Sequence, residues 1–283
     1  MKWFLTFCLL FSLTATAMGS WEEKWHQDKL LPNKPEPLLY SSSDFWANVS
    51  IGYSFCSLEA IRKTTNDWNY YLGTFGSSSA QPDLDGLNMG LEGGWLFDGL
   101  NGLSLSVENI QVSQTSYNFA TPSTSISADI QPTVYGFSAN YYHFIDQTPN
   151  AQTYIALGVG YYLGGASYAQ YQYINGVLTQ SDQGRWEGGT FGGTLGAGAR
   201  INAGKRFGIQ LDARGRYANI PKVTTDYTDN KTQKNYVSVL AVNRNGIILQ
   251  ENQDNLGNGG NQDQPLNFDF SGFDINIGIF YHF

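Results

Sequence analysis

From residue 45 onward, apolar residues recur at every second position in eight separate stretches. In the first, Phe45, Ala47, Val49, Ile51, Tyr53 and Phe55 alternate with Trp46, Asn48, Ser50, Gly52 and Ser54. Successive side chains of a strand face opposite ways, so this pattern predicts a strand with one oily face and one small or polar face. The same reading places strands over 87–97, 103–117 (with a slip near Asn109-Ile110), 135–141, 154–163, 191–201, 207–214 and 273–283. Most of these run about 10–15 residues. Soluble strands usually have about 5–6, and a tilted membrane-crossing strand needs about 9–11. The connections alternate in length. Residues 98–102, 145–152 and 202–206 are short, whereas 57–83, 118–129, 165–189 and 221–268 are long and polar. Outer-membrane barrels have short periplasmic turns and longer extracellular loops in this way. Aromatic residues also gather at one set of strand ends: Phe45, Trp46, Trp95, Phe97, Tyr141, Phe144, Phe207, Tyr281 and Phe283 are expected at the periplasmic rim. Alternation alone would suit a soluble sandwich. With strand length, loop asymmetry and girdle added, it predicts an all-β, eight-stranded, antiparallel up-and-down transmembrane barrel.

The segment before residue 45 has a different character. Met1-Lys2, an apolar run from Trp3 to Leu13, and small residues at Ala15 and Ala17 form a signal-peptide pattern, with cleavage expected after Ala17. Cys8 sits in the middle of the apolar run rather than at its end, which argues against lipidation. Cys56 is then left without an internal disulfide partner. Residues 18–44 carry Trp21, Trp25 and Leu31-Pro-Asn-Lys-Pro-Glu-Pro37, whose prolines break helix and central strand alike. The expected organisation is a signal peptide over 1–17, a periplasmic tail over 18–44 and a barrel over 45–283. Past residue 17 no run of 18 apolar residues suggests a membrane helix.

Composition narrows the partners. Charged residues make up 14% of the chain and aromatics 15%, which argues against disorder and against a coiled coil. A net charge of −8 argues against a nucleic-acid partner. The inward faces of the predicted strands hold Glu92, Arg200, Asp212, Arg214 and Asp274, few and mixed in sign. They are expected to pair across the lumen, because an unpartnered buried charge is costly.

The last eight residues, Asn276-Ile-Gly-Ile-Phe-Tyr-His-Phe283, resemble the C-terminal signal of bacterial outer-membrane barrels, with Asn276, Gly278, Tyr281 and Phe283 at its diagnostic positions. The layout over 45–283 resembles the small barrel families of OmpA-like, OmpW-like and opacity-protein-like surface antigens. That resemblance implies a bacterial outer-membrane location, recognition of the last strand by the barrel assembly machinery, contact with outer-membrane lipid and lipopolysaccharide, and no cofactor. Unlike OmpA itself, no periplasmic peptidoglycan-binding domain is expected after Phe283.

Function is expected in the loops, which carry binding on a rigid scaffold. The first long loop holds Glu59, Arg62, Lys63, Asp67 and Trp68-Asn-Tyr-Tyr71, and the third holds Tyr168, Tyr171, Tyr173 and the hairpin signal Ile174-Asn-Gly-Val177. The favoured reading of these tyrosine-rich segments is strands continuing above the membrane, with a partner-binding loop as the alternative. Tyr236–Val242 and Ile247–Leu249 suggest an exposed hairpin, or the extra strands of a ten-stranded barrel that are too short to span. Glu251, Asp254 and Asp263 lack calcium-loop spacing. Of the histidines, His26, His143 and His282, none falls in a predicted extracellular loop, and no nucleophile or metal motif is present. The expectation is a non-catalytic structural or adhesion-type surface antigen with a host or surface ligand at its loops. The alternative is a narrow porin-like channel, since glycine-rich inner faces leave room for a small passage.

Overall fold

The computed structural model describes residues 44–82, 84–148, 150–204, 206–228, 235–243, 248–252 and 264–283. The signal-peptide and tail assignments, with Ala15 and Ala17, fall outside these residues, as do Asp254 and Asp263.

Eight strands form a closed ring: β1 (Asp44–Cys56), β2 (Asp85–Leu96), β3 (Asn101–Val112), β4 (Thr124–Gln147), β5 (Ala151–Ile174), β6 (Val177–Asn202), β7 (Phe207–Tyr217) and β8 (Gly272–His282). Each pairs antiparallel with the next, and β8 returns to β1 with Trp46 opposite His282 and Cys56 opposite Gly272. Closure leaves no open edge, as a sheet in hydrocarbon requires. The turn at the β2–β3 connection is held by Asp98, whose carboxylate accepts from the Leu100 amide at 3.0 Å and from the Asn101 side chain at 2.6 Å. These donors, the Asn101 side chain foremost, hold the Asp98 carboxyl below its usual range. Their contribution is intact above that range and is lost as pH falls through the lowered value.

The outer face carries a belt of exposed apolar side chains, among them Val49, Ile51, Leu91, Leu105, Leu157, Val159, Leu195, Leu211, Ile277 and Ile279. Phe45, Trp95, Tyr141, Phe207, Tyr281 and Phe283 border it at the turn end, and Tyr53, Phe55, Tyr161, Phe191 and Tyr217 toward the loop end. These are the paired aromatic girdles of a membrane-spanning barrel. Trp46 and Phe144, expected in the periplasmic girdle, instead point inward and are buried. They occupy the alternate positions of their strands, and period two decides their side.

Among the described residues, three of the four expected loops are built mainly of strand. β4, β5 and β6 continue well past the belt, and β5 meets β6 at the two-residue turn Asn175-Gly176, both with positive φ (51° and 79°). Such a turn matches the twist of the strands it joins. The strand expected to run to Tyr117 ends at Val112, and a separate strand, Thr115–Ala120, pairs with upper β4. Ser77–Ala80 extends that sheet on one side. On the other side Thr224–Thr228 pairs with β6, and Asn235–Val242 and Ile248–Asn252 follow as a hairpin. The ring nevertheless has eight members, not ten. The first loop holds a helix, α1 (Glu59–Gly73), where an irregular segment was expected. Its buried residues Ile61, Thr65, Trp68 and Leu72 recur at helical spacing.

These additions enclose a second core. Along β4 the outward residues Tyr135 and Phe137 give way to Thr133, Gln131 and Asp129, while the inward ones become Val134, Ile130 and Ala128. Above the belt the surroundings are water, so the apolar face turns inward without any change of register. The slip expected at Asn109-Ile110 is this inversion. Asn109 and Ile110 pair in unbroken register, and Ile110 is buried because the core begins there. Leu58, Ile61, Trp68, Tyr117, Tyr168, Trp186, Phe268 and Phe270 fill that core. Burial pushes the Tyr117 hydroxyl up to about 12 and raises that of Tyr168 as well.

The inversion predicts opposite responses on one face of the sheet. Leu157→Arg, in the belt, should cost about 2–4 kcal/mol, whereas Gln131→Arg, above it, should stay within about 0.5 kcal/mol. Equilibrium unfolding from phospholipid vesicles measures both.

Candidate functional site: the lumen of the barrel

The inward positions of an eight-stranded barrel converge on a space that side chains can fill. Here they fill it in layers. At the periplasmic end Trp46, Leu96, Tyr142, Phe144, Tyr154 and Ala156 form a compact cluster. Arg200 is embedded in it, its guanidinium carbon 3.8 Å from the centroid of a Trp46 ring and 5.3–5.6 Å from the rings of Tyr142, Phe144, Tyr154 and Phe280. Its Nε donates to Gln210 Oε1 at 2.9 Å. A guanidinium is weakly hydrated and flat, so it stacks on aromatic faces where an ammonium would keep its water.

The next layer is ionic. Arg214 lies 3.4 Å from Glu92 and 3.2 Å from Asp212, and donates to the Tyr142 hydroxyl at 2.8 Å. Tyr142 in turn donates to Glu92 at 2.6 Å. Asn276 donates to the other Asp212 oxygen at 3.0 Å, tying β8 to β7. Above it Asp274 pairs at 2.6 Å with Arg216, whose other donors reach Ser54 Oγ at 3.1 Å and the Phe270 carbonyl at 2.9 Å. Ser54 also donates to Asp274. Sequence reading missed Arg216, because it ended the seventh strand at Arg214. The signal was available, since Arg216 continues the inward series Asp212, Arg214 at period two.

The structure thus brings Glu92, Asp212 and Arg214 together, joins Asp274 to Arg216, and sets Arg200 apart among aromatic rings. Of the C-terminal signal residues, Asn276 and Gly278 face inward, while Tyr281 and Phe283 face outward with rings 5.1 Å apart. His143 contacts Asn101 Oδ1 at 2.9 Å and His282 lies against Phe280, both at the periplasmic end. Arg62 pairs with Glu59 on α1, and Trp68 and Tyr168 lie in the upper core rather than on the surface.

Inward glycines stand where large side chains need space. A Cβ on Gly94 would lie 2.3 Å from the Trp46 ring, and one on Gly198 would lie 2.4 Å from the Tyr154 hydroxyl. Their missing side chains make room for these large neighbours. A cavity of about 20 Å³ remains beside Glu92, Glu108, Asp212, Arg214 and Asn276, enough for about one water. The upper core and α1 lie over the other mouth.

No protein-family model matches the chain. No curated protein matches it either. Among solved structures it is similar to the outer membrane protein OprG from Pseudomonas aeruginosa, at 14% identity over 86% of this chain and 96% of that one, with a TM-score of 0.42. It is similar to Ail, the attachment invasion locus protein of Yersinia pestis, at 15% identity over 85% and 99%, with a TM-score of 0.34. A third is the outer membrane protease OmpT from Escherichia coli, at 12% identity over 88% and 99%, with a TM-score of 0.41. These likenesses say nothing of activity.

The ion pairs predict a specific asymmetry. Arg216→Leu leaves Asp274 buried without its cation and should cost about 3–5 kcal/mol, whereas Arg216→Leu with Asp274→Leu should recover most of that. Urea titration of the two variants in lipid vesicles checks it. The closed ring, apolar belt and double girdle make the chain an eight-stranded antiparallel barrel of the membrane-spanning type.

Proposed function

We propose that this is a non-conducting, non-catalytic surface protein of the bacterial outer membrane, whose barrel anchors a folded extracellular structure that binds an external ligand. The packed lumen carries this reading. Trp46, Tyr142, Phe144, Tyr154 and Arg200 fill one end, the Arg214 and Arg216 ion pairs the middle, and the core beneath α1 the other end. A channel needs a continuous wet path, and these layers set side chains across it. The strands also extend far beyond what crossing requires, and that additional length is stabilised by a core of its own. Such a structure suits presentation of a surface to the outside. Outer-membrane lipid and lipopolysaccharide would contact the belt, and the assembly machinery would read Asn276, Gly278, Tyr281 and Phe283. The placement of His143 and His282 at the periplasmic rim favours a role without general-base chemistry on the outer surface.

Planar-bilayer recording of the refolded protein decides between anchor and channel. The expected result is a baseline without discrete steps. Reproducible stepwise conductance would replace this reading with the porin-like one.

A further inference from the structure

The extracellular sheet holds a trough that belongs to neither the lumen nor the core. It has a volume of about 330 Å³ and lies across Ser77–Ser79, Asn118–Ala120, Ser125–Ser127 and Tyr173. Strand register explains its composition. Ser77, Ala120, Ser125 and Tyr173 stand opposite one another in a row across four strands, and Ser79, Asn118, Ser127 and Tyr171 form the row two residues away. Directly opposed residues share a face, so both rows stand on the outer side of the sheet. Small side chains give the trough its depth, and Tyr173 walls one flank, with Tyr171 two residues along the same strand. The Tyr171 hydroxyl accepts from Gln183, which steadies that ring.

Neither row carries a charged residue. Residues 68–82, 109–128 and 147–181 contain no Asp, Glu, Lys, Arg or His. Beside the two rows on the same face lies Asp129, whose carboxylate accepts from Ser116 at 2.5 Å.

We propose that this trough binds a neutral oligosaccharide. The inference rests on the surface-protein reading above and names its ligand class. Hydroxyl and amide groups donate and accept at once, which matches sugar hydroxyls that do the same. A tyrosine face offers apolar area for the C–H side of a pyranose, and its hydroxyl offers a hydrogen bond. A sulfated or sialylated glycan would need cations that the trough does not have. A peptide strand would add to a sheet edge, whereas these side chains stand on a sheet face. The volume falls at the small end of ligand sites, about 300–1,000 Å³, which fits one or two sugar rings.

The test is a glycan array probed with the whole protein in detergent micelles, carrying neutral oligosaccharides beside sialylated and sulfated forms. The wild type should retain a neutral glycan. Tyr173→Ala should weaken that binding about tenfold, and Ser125→Trp, which fills the trough from an exposed position, should abolish it. Heat-modifiable gel mobility establishes that each variant is folded. Retention of anionic glycans alone, of none, or of neutral glycans regardless of both variants overturns the proposal. A protease site placed at Asn175-Gly176 separates the two readings on intact cells. Cleavage without glycan binding refutes the trough but leaves the surface role standing, and no cleavage refutes the surface role itself.

Discussion

Hydrocarbon offers no partner to a backbone amide, and the pairing of β8 with β1 answers that constraint. Eleven residues of β1, from Trp46 to Cys56, face β8 in unbroken antiparallel register. Without this seam both strands would present a row of unsatisfied donors and acceptors to lipid, each costing several kcal/mol. Closure then fixes everything inside it. Eight strands enclose a narrow interior, so each inward residue must fit its neighbours across the lumen as well as along the strand.

The interior meets that demand by pairing absence with bulk. Glycines stand where Trp46 and Tyr154 need space, and the charged residues meet as opposites: Glu92 and Arg214 across the lumen, Asp212 and Arg214 along one strand, Arg216 and Asp274 between adjacent strands. A buried ion pair is weak evidence of stability, because desolvation offsets much of its attraction. Its clearer consequence here is register. Arg216 reaches Ser54 on β1, Asp274 on β8 and the Phe270 carbonyl at once, and one residue of slip in any of these strands would turn a partner toward lipid.

The ring and its outward face were legible because lipid imposes one rule on every strand. The eight stretches of alternating residues correspond to the eight members of the ring, and Asn175-Gly176 announces its turn through two residues that tolerate positive φ. Where the rule ceases, legibility fell. Above the belt the apolar face changes sides, so upper β4, β5 and β6 resemble polar loops to a search for outward apolar residues. The helix was lost for a related reason. Ile61, Thr65, Trp68 and Leu72 form a helical stripe, yet two of its neighbouring positions are exposed tyrosines, Tyr70 and Tyr71, which make the segment look like an aromatic loop.

The sequence by itself determined the barrel, its lipid-facing residues and most of the charges that face inward, since each follows from period two against a hydrocarbon boundary. It did not determine which charges meet. Glu92 and Arg214 are 122 residues apart and come within 3.4 Å only because the ring closes. It did not determine whether the glycine-rich faces are empty or occupied, because a missing Cβ is equally compatible with a passage and with a tryptophan from another strand. Nor did it place two rows of serine, asparagine and tyrosine side by side across four strands. Those decisions belong to long-range register, which the chain encodes only through the mutual fit of strands far apart in sequence.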